Sequence, residues 1–357
     1  MTLKQKLLAL IDANGPISVA DYMAACLYDP AQGYYATRPL LGGEHADFLT
    51  APEASQMFGE LIGLWCVHEW DALGRPDPFF LIELGPGAGA LMSDAWRAAR
   101  VAPKFREAAK LQLVEISTPL KARQAGALSK VGARALWRDT LEDVAPGPCL
   151  IIANEFLDCL PIRQFVRESG AWREKRVGRG ENGLRFGLAP HALPSADPRI
   201  PPALFDAQDG AIAEHAAGLS SWVDAVTRRL AAAPGRALVI DYAGDGSGDT
   251  LQALRRHQKV DVLEAPGECD LTARVDMAAL KILARSAGLD FAGPVAQGDF
   301  LRALGLDARA QALADTHPDR GERIGREHAR LTGADQMGAL FKASCLSSPR
   351  LPPPAGF

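Results

Sequence analysis

The apolar positions along the chain change period repeatedly, and each change marks an element. Leu3, Leu7, Leu10 and Ile11 recur at helical spacing over residues 2–13, and Asn14-Gly15-Pro16 ends that run. Ser18, with Asp21 three residues on, is a capping signal for a second helix from Val19 to Leu27. From Ser55 another helical face carries Phe58, Leu61, Ile62, Trp65 and Val67. Gly59 and Gly63, four apart on it, leave room for a neighbouring helix. Beyond residue 78 the apolar runs shorten to strand length: Phe79–Leu84, Leu111–Glu115, Ala133–Arg138, Cys149–Ala153 and Arg236–Tyr242. Cys149–Ala153 is wholly apolar, as a strand buried on both faces requires. Helical patterns such as Leu91–Arg100 fall between these runs, so the chain predicts a doubly wound α/β fold around a parallel sheet.

Two stretches break the alternation. Residues 33–53 are rich in Gly and Pro, hold Tyr34-Tyr35 and show no long period; such a segment inside a folded domain is usually functional. Residues 163–190 alternate around Glu168-Ser169-Gly170, a β-hairpin signal, with Gly183–Leu188 as a further strand. This hairpin is basic, with Arg163, Arg167, Arg173, Lys175, Arg176 and Arg179, and a solvated face is the simplest account of it. A proline-rich linker over 190–202 and one helix over 211–231 complete the insertion. Gly293–Gln297 and Met337–Ser344 are the last strand candidates.

Composition narrows the function classes. Of 357 residues 48% are hydrophobic and 23% charged, and the net charge is −4, which suits a globular protein and not a general nucleic-acid binder. No apolar stretch of about 18 residues occurs, so no integral membrane segment is expected. The six cysteines are scattered, with no C-x-x-C pair and no histidine at ligand spacing, so no metal site is expected. The N-terminal helix is amphipathic and is neither a signal nor a transit peptide, which points to a bacterial-type cytoplasmic chain.

The chemistry concentrates at strand ends. Phe79–Leu84 runs into Gly85-Pro86-Gly87-Ala88-Gly89, and a helical pattern follows. A dinucleotide fingerprint would be G-x-G-x-x-G, but Ala90 stands where its last glycine would fall. Glu83 precedes the first glycine by two residues, and an acid there suits a cationic ligand better than a pyrophosphate. The resulting E-x-G-x-G-x-G is similar to the first motif of class I S-adenosylmethionine-dependent methyltransferases. An NAD(P)-dependent oxidoreductase and a plain strand-to-helix turn are the alternatives. Glu115 closes the second strand, where dinucleotide folds place the acid that binds ribose hydroxyls. Asp139 follows the third strand, placed to face an adenine amino group or neighbouring backbone. Asn154-Glu155-Phe156-Leu157-Asp158 lies directly beyond the central strand. If Phe156 onward is helical, Glu155 and Asp158 share a face and can grip a guanidinium; capping by Asn154 or Asp158 is the simpler alternative.

These motifs coincide in one family. Asp29-Pro30 with Gly33-Tyr34-Tyr35, Asp47–Glu53 with Ser55–Glu60, Glu83–Gly87, Leu113–Glu115, Ala153–Asp158, Gly248–Leu251, Pro266–Glu268, Asp270–Thr272 and Met337-Gly338 with Phe341-Lys342 resemble the MidA-like methyltransferases of bacteria and mitochondria. The resemblance implies a Rossmann-like seven-stranded sheet with helices on both faces. Residues 1–75 would be an N-terminal helical cap and cofactor-covering segment, 76–162 and 234–357 the two halves of the core, and 163–233 an inserted β-hairpin and helical subdomain. It implies S-adenosyl-L-methionine as cofactor, with its methionine end at Glu83, Gly85, Pro86, Gly87 and Gly89, its ribose at Glu115 and its adenine at Asp139. Tyr34, Thr50, Glu53 and Gln56 would cover it. The acceptor would be an arginine of a protein, a respiratory complex I core subunit, bound by Glu155 and Asp158 beside Asn154. A cofactor-binding assembly chaperone that transfers no methyl group is the alternative within the family, and apolar positions on the 211–231 helix would permit a homodimer.

Overall fold

The computed structural model describes residues 1–37, 50–255 and 258–357. Residues 38–49, including Asp47, Phe48 and Leu49 of the block that carries the resemblance, lie outside the described residues. The chain divides into two compact units, residues 1–38, 157–222 and 244–280 in one, and 39–156, 223–243 and 281–357 in the other.

The larger unit contributes to its central sheet the strands β1 (Phe79–Leu84), β2 (Ala109–Val114), β3 (Leu136–Arg138), β4 (Cys149–Asn154), β5 (Gly235–Gly244), β6 (Asp290–Ala296) and β7 (Phe341–Ser347). They lie in the order β6-β7-β5-β4-β1-β2-β3. Strands β1 to β5 pair in parallel, and β7 runs antiparallel between β5 and β6. Chain order runs outward in opposite directions from the β1/β4 boundary. The carboxyl ends of β1 and β4 therefore flank the switch point, where ligands bind in such sheets. All six residues of β4 are buried, as its apolar run predicts.

Helix Gln56–Ala72 buries Met57, Phe58, Leu61, Ile62, Trp65 and Cys66. Its glycines set a close approach to helix Ala90–Ala98: a Cβ on Gly63 would lie 2.5 Å from the Ala95 carbonyl oxygen, and one on Gly59 2.7 Å from Asp94 Cβ. Near the other end of the same helix, Glu69 forms an ion pair with Arg236 of β5, and both side chains are fully buried. Arg236 also donates to the Pro352 carbonyl and the Ser347 hydroxyl, while Glu69 accepts from the Ala355 amide at 2.9 Å. The extended tail is thereby tied to the middle of the unit.

The smaller unit begins with helices Leu3–Asn14 and Val19–Tyr28, each opened by a capping box, Thr2 with Gln5 and Ser18 with Asp21. Leu3, Leu7 and Ile11 are buried, but Leu10 is exposed, so the first apolar face is narrower than its spacing suggests. The expected hairpin forms: Ile162–Glu168 pairs with Ala171–Gly180, which also pairs with Gly183–Ala192. Phe165, Trp172, Ile200 and Ala213 make its core.

Several boundaries differ from expectation. Residues 211–231 are not one helix: Ile212–Ala216 is a strand paired with Ile162–Val166, and helix Ala217–Ala232 follows. Alternation that buries Ala213 in the sheet core outweighs helix propensity there. Leu219, Trp222, Val223, Val226 and Leu230 of that helix are buried, so the apolar positions proposed for a homodimer are already covered. The residues expected to open the last strand form a helical turn, Met337–Leu340, and β7 starts at Phe341. Of Ala133–Arg138 only the last three residues pair, along β2.

Candidate functional site

β1 ends in a turn that is left-handed at Gly85 (φ 59°), Gly87 (φ 52°) and Gly89 (φ 84°) and is closed by the Gly89 amide on the Pro86 carbonyl at 2.8 Å. The three glycines are needed for different reasons. A Cβ on Gly85 would strike the Phe156 ring at 2.9 Å, and one on Gly89 would press on Gln124 Cα at 3.1 Å. At Gly87 a Cβ would meet nothing within 4 Å. Gly87 therefore fronts open space, and its backbone is open to close approach.

Glu83 lies inside β1 with 3% of its surface exposed. Its Oε2 has no hydrogen-bond partner among the described residues, and burial pushes its carboxyl up to about 8. A buried, under-satisfied acid costs free energy unless a donor or cation completes it. Glu115, beyond β2, is also buried, and desolvation raises its pKa. It accepts the Ser117 amide on Oε1 at 2.8 Å and Gln124 Nε2 on Oε2 at 3.0 Å. Each carboxylate oxygen has a second lone pair, so capacity for ribose hydroxyls remains.

Gln124 was not a candidate in the sequence, yet it joins these parts. Its Nε2 also donates to the Gly87 carbonyl at 2.8 Å, and its Oε1 accepts Trp137 Nε1 at 2.7 Å. The signal was a polar residue between Leu120 and Leu128 on the buried stripe of helix Thr118–Lys130. Asp139 is exposed and forms an ion pair with Lys121 at 2.8 Å.

The second cluster follows β4. Glu155 is held left-handed at φ 50°, its amide donating to the Ile240 carbonyl at 2.9 Å. Its Oε1 accepts the Ala51 amide at 3.1 Å and Asn154 Nδ2 at 3.2 Å. Burial, with like charge from Asp241 and Glu53, pushes its carboxyl up to about 8 against those two hydrogen bonds. Asn154 Oδ1 is buried with no partner among the described residues. Asp241, fully buried in β5, accepts the Phe156 amide on Oδ2 at 3.1 Å and the Tyr242 amide on Oδ1 at 2.8 Å. An acid near the end of β5 was visible in the sequence; its proximity to Glu155 was not.

Phe156 onward is a turn and not a helix, so the shared helical face for Glu155 and Asp158 does not exist. Asp158 belongs to the smaller unit, where its carbonyl accepts the Ala273 amide at 2.9 Å. Tyr34 is fully buried in the same unit, edge-on to Tyr35, whose hydroxyl donates to Asp270 at 2.9 Å. Thr50 is the N-cap of the turn Ala51–Ala54, and Gln56 is exposed, reaching Glu60 of its own helix at 3.4 Å.

These residues fit S-adenosylmethionine: an open glycine backbone, an under-satisfied buried acid for a cationic end, and a second acid with lone pairs for hydroxyls. Among the described residues no group of His, Cys, Asp or Glu is placed to hold a metal, and no helix is long and apolar enough to cross a membrane.

Comparison with known proteins agrees with that fit. Residues 61–295 match the family model Methyltransf_28, of S-adenosyl-L-methionine-dependent methyltransferases. The chain is 37% identical to the mitochondrial protein arginine methyltransferase NDUFAF7 of Rattus norvegicus over 93% of its own length and 81% of the relative's. It is 35% identical to the mitochondrial NDUFAF7 homologue of Drosophila melanogaster over 96% and 84%. A crystal structure of a likely methyl transferase of the COG1565 superfamily from Burkholderia thailandensis, bound to S-adenosyl-homocysteine, superposes with a TM-score of 0.87 at 26% identity, over 99% of this chain and 93% of that one. The expectation of a cytoplasmic chain is corrected by these matches, because the curated relatives are named as mitochondrial proteins. The oxidoreductase alternative is likewise removed.

Proposed function

Because the chain belongs to the Methyltransf_28 family of S-adenosyl-L-methionine-dependent methyltransferases, we propose that it methylates an arginine side chain of a protein, with a respiratory complex I core subunit as acceptor and assembly of that complex as its role. Support for arginine comes from the relatives' names and from one observation, the Glu155 carboxylate held beyond β4 by the Ala51 amide and Asn154.

When bound, S-adenosyl-L-methionine supplies an electrophilic methyl group on a sulfonium. Glu83 and the Gly85–Gly89 turn hold the methionine end, Glu115 the ribose and Asp139 the adenine. Glu155 binds the guanidinium and draws its positive charge away from the attacking nitrogen, which aligns that nitrogen for in-line displacement. Methylation of a guanidinium releases one proton, and the Glu155 carboxylate, ionised while it binds the cation, can accept it.

The test is Glu155→Gln, which preserves size and hydrogen-bonding capacity and removes the charge. Cofactor affinity by calorimetry is expected to stay within about twofold, while methyl transfer falls by about 100-fold or more. Full turnover by this variant would overturn the assignment. Tritium labelling of an extract lacking the protein, with the purified chain added back, identifies the acceptor residue; label on lysine or a carboxylate would overturn arginine.

A further inference from the structure

The basic hairpin has no part in the methyl-transfer chemistry described above. In the smaller unit some of its arginines line a groove: Arg163, Arg176, Arg179 and Arg185, with Arg199 and His191, surround it beside Pro16 and residues 187–193.

The register explains the groove. Arg176 lies opposite Gly187 and Gly178 opposite Arg185 on the paired strands Ala171–Gly180 and Gly183–Ala192. Cross-strand partners share a face, and so do residues two apart on one strand. Arg176 and Arg185 therefore each stand across from a glycine, whereas Arg179 stands across from Leu184. A Cβ on Gly187 would meet nothing within 4 Å, and one on Gly180 would already touch the aliphatic stem of Arg185 at 3.1 Å. The floor is open at Gly187, is walled by Pro16 at Gly178, where a Cβ would lie 3.6 Å from its Cγ, and is flanked by the Arg185 stem.

The charge is unbalanced. Glu174, 4% exposed, is shared by Arg163 at 2.6 Å and Arg176 at 2.7 Å. Arg179 pairs with Asp12 and Arg199 with Asp197, while Arg185 has no partner among the described residues. Five arginines against three carboxylates leave two positive charges in excess, on a chain whose net charge is −4. A groove with a main-chain floor and spare guanidinium donors suits carboxylates on an extended backbone.

We propose that this groove docks an acidic, extended segment of the protein acceptor, so that affinity for the acceptor is set partly by the insertion. The inference rests on the reading that the acceptor is a protein. Arg185 is the residue to test: it is unpaired, its removal orphans no buried carboxylate, and it has no role in cofactor binding.

The probe is a short fluorescein-labelled poly-glutamate peptide, read by anisotropy with the full chain. Wild type is expected to bind it, more weakly as salt rises. Arg185→Glu is expected to weaken binding by about tenfold, a change of about 1.4 kcal/mol, and Arg185→Lys to recover most of it. Equal affinity of wild type and Arg185→Glu would overturn the proposal, as would tighter binding of a single-stranded oligonucleotide than of the peptide. Glu155→Gln should bind the peptide like wild type. Loss of the peptide arm alone thus sinks the groove and leaves methyl transfer standing, while loss of transfer alone does the reverse. In turnover, Arg185→Glu raises KM for the acceptor and leaves kcat unchanged; a fall in kcat at unchanged KM would also overturn it.

Discussion

The Ala51 amide donates to Glu155 Oε1 across 3.1 Å, joining the turn before helix Gln56–Ala72 to the acid beyond β4. The bond has an external support. Ser55, which caps that helix through the Met57 amide, donates its hydroxyl to Glu327 on helix Gly321–Thr332 at 2.8 Å, and the Ser55 amide returns to the Ala51 carbonyl. The geometry of Glu155 therefore depends on residues remote from it in sequence.

The first prediction concerns pH. A carboxyl at about 8 is mostly protonated at neutral pH in the absence of a cation, and only the ionised form attracts a guanidinium. The kcat/KM for the acceptor is expected to rise with pH through about 8 and then level. Glu155→Gln should remove that limb from whatever activity remains; a wild-type profile flat from pH 6 to 9 would contradict the assignment.

Stability should run the other way. Glu83 and Glu155 are both raised in the folded chain, so between about 4.5 and 8 the folded state holds protons that the unfolded state has released. Their contribution to stability is present below about 4.5, is lost as pH rises to 8, and is constant above. Urea unfolding across that window is expected to show a smaller pH dependence in Glu83→Gln than in wild type.

Gln124→Leu removes three hydrogen bonds, those to Trp137 Nε1, the Gly87 carbonyl and Glu115 Oε2. The expected loss is several kcal/mol of stability, at about 1–3 kcal/mol for each buried group left without a partner. Cofactor affinity by calorimetry should fall by about tenfold or more as the turn loosens. Unchanged affinity would mean that the glycine turn holds its shape without this tie.

Ser55→Ala removes the cap and the link to Glu327, at an expected cost of about 1 kcal/mol. A cap alone would alter only stability. If the link positions Ala51, the pH limb of methyl transfer also moves to higher pH, because Glu155 loses a stabilising donor. Glu327→Gln should keep the limb in place, since an amide oxygen can still accept.

The glycines separate packing from freedom. Gly63→Ala would drive a Cβ to 2.5 Å from the Ala95 carbonyl and should cost about 1–3 kcal/mol by forcing the two helices apart. Gly126→Ala, on helix Thr118–Lys130 with nothing within 4 Å, should instead stabilise by about 0.4–1 kcal/mol. Thermal denaturation of the two variants decides it.

What the sequence made legible follows from range. The glycine turn, the acid before it and the apolar strands β1, β4 and β5 are local patterns, and they appear where the periodicity puts them. The capping boxes at Thr2 and Ser18 are local too, although only the second was read. What escaped depends on distant partners. Ile212–Ala216 is a strand only because Ile162–Val166 lies beside it. Asp241 reaches the Phe156 amide across 85 residues of sequence, and Glu327 reaches Ser55 across 272. Helices Leu306–Thr316 and Gly321–Thr332 were not read from the sequence, and they supply Arg309 and Glu327 to the other end of the chain, at Glu60 and Ser55.

The buried pair of Glu69 and Arg236 also sets a schedule for synthesis. Chains emerge from the ribosome amino end first, so Glu69 waits for Arg236, and the pair's remaining bonds wait for Ser347, Pro352 and Ala355. Two charges cannot settle in a dry interior with half their partners still unmade. We therefore expect β5 to stay protease-sensitive in ribosome-stalled chains that end before Phe341, and protection at that length would contradict this. Residues 347–355, translated long after β5, thus decide when the middle of the sheet may close, and a nascent chain must keep that gap screened until they arrive.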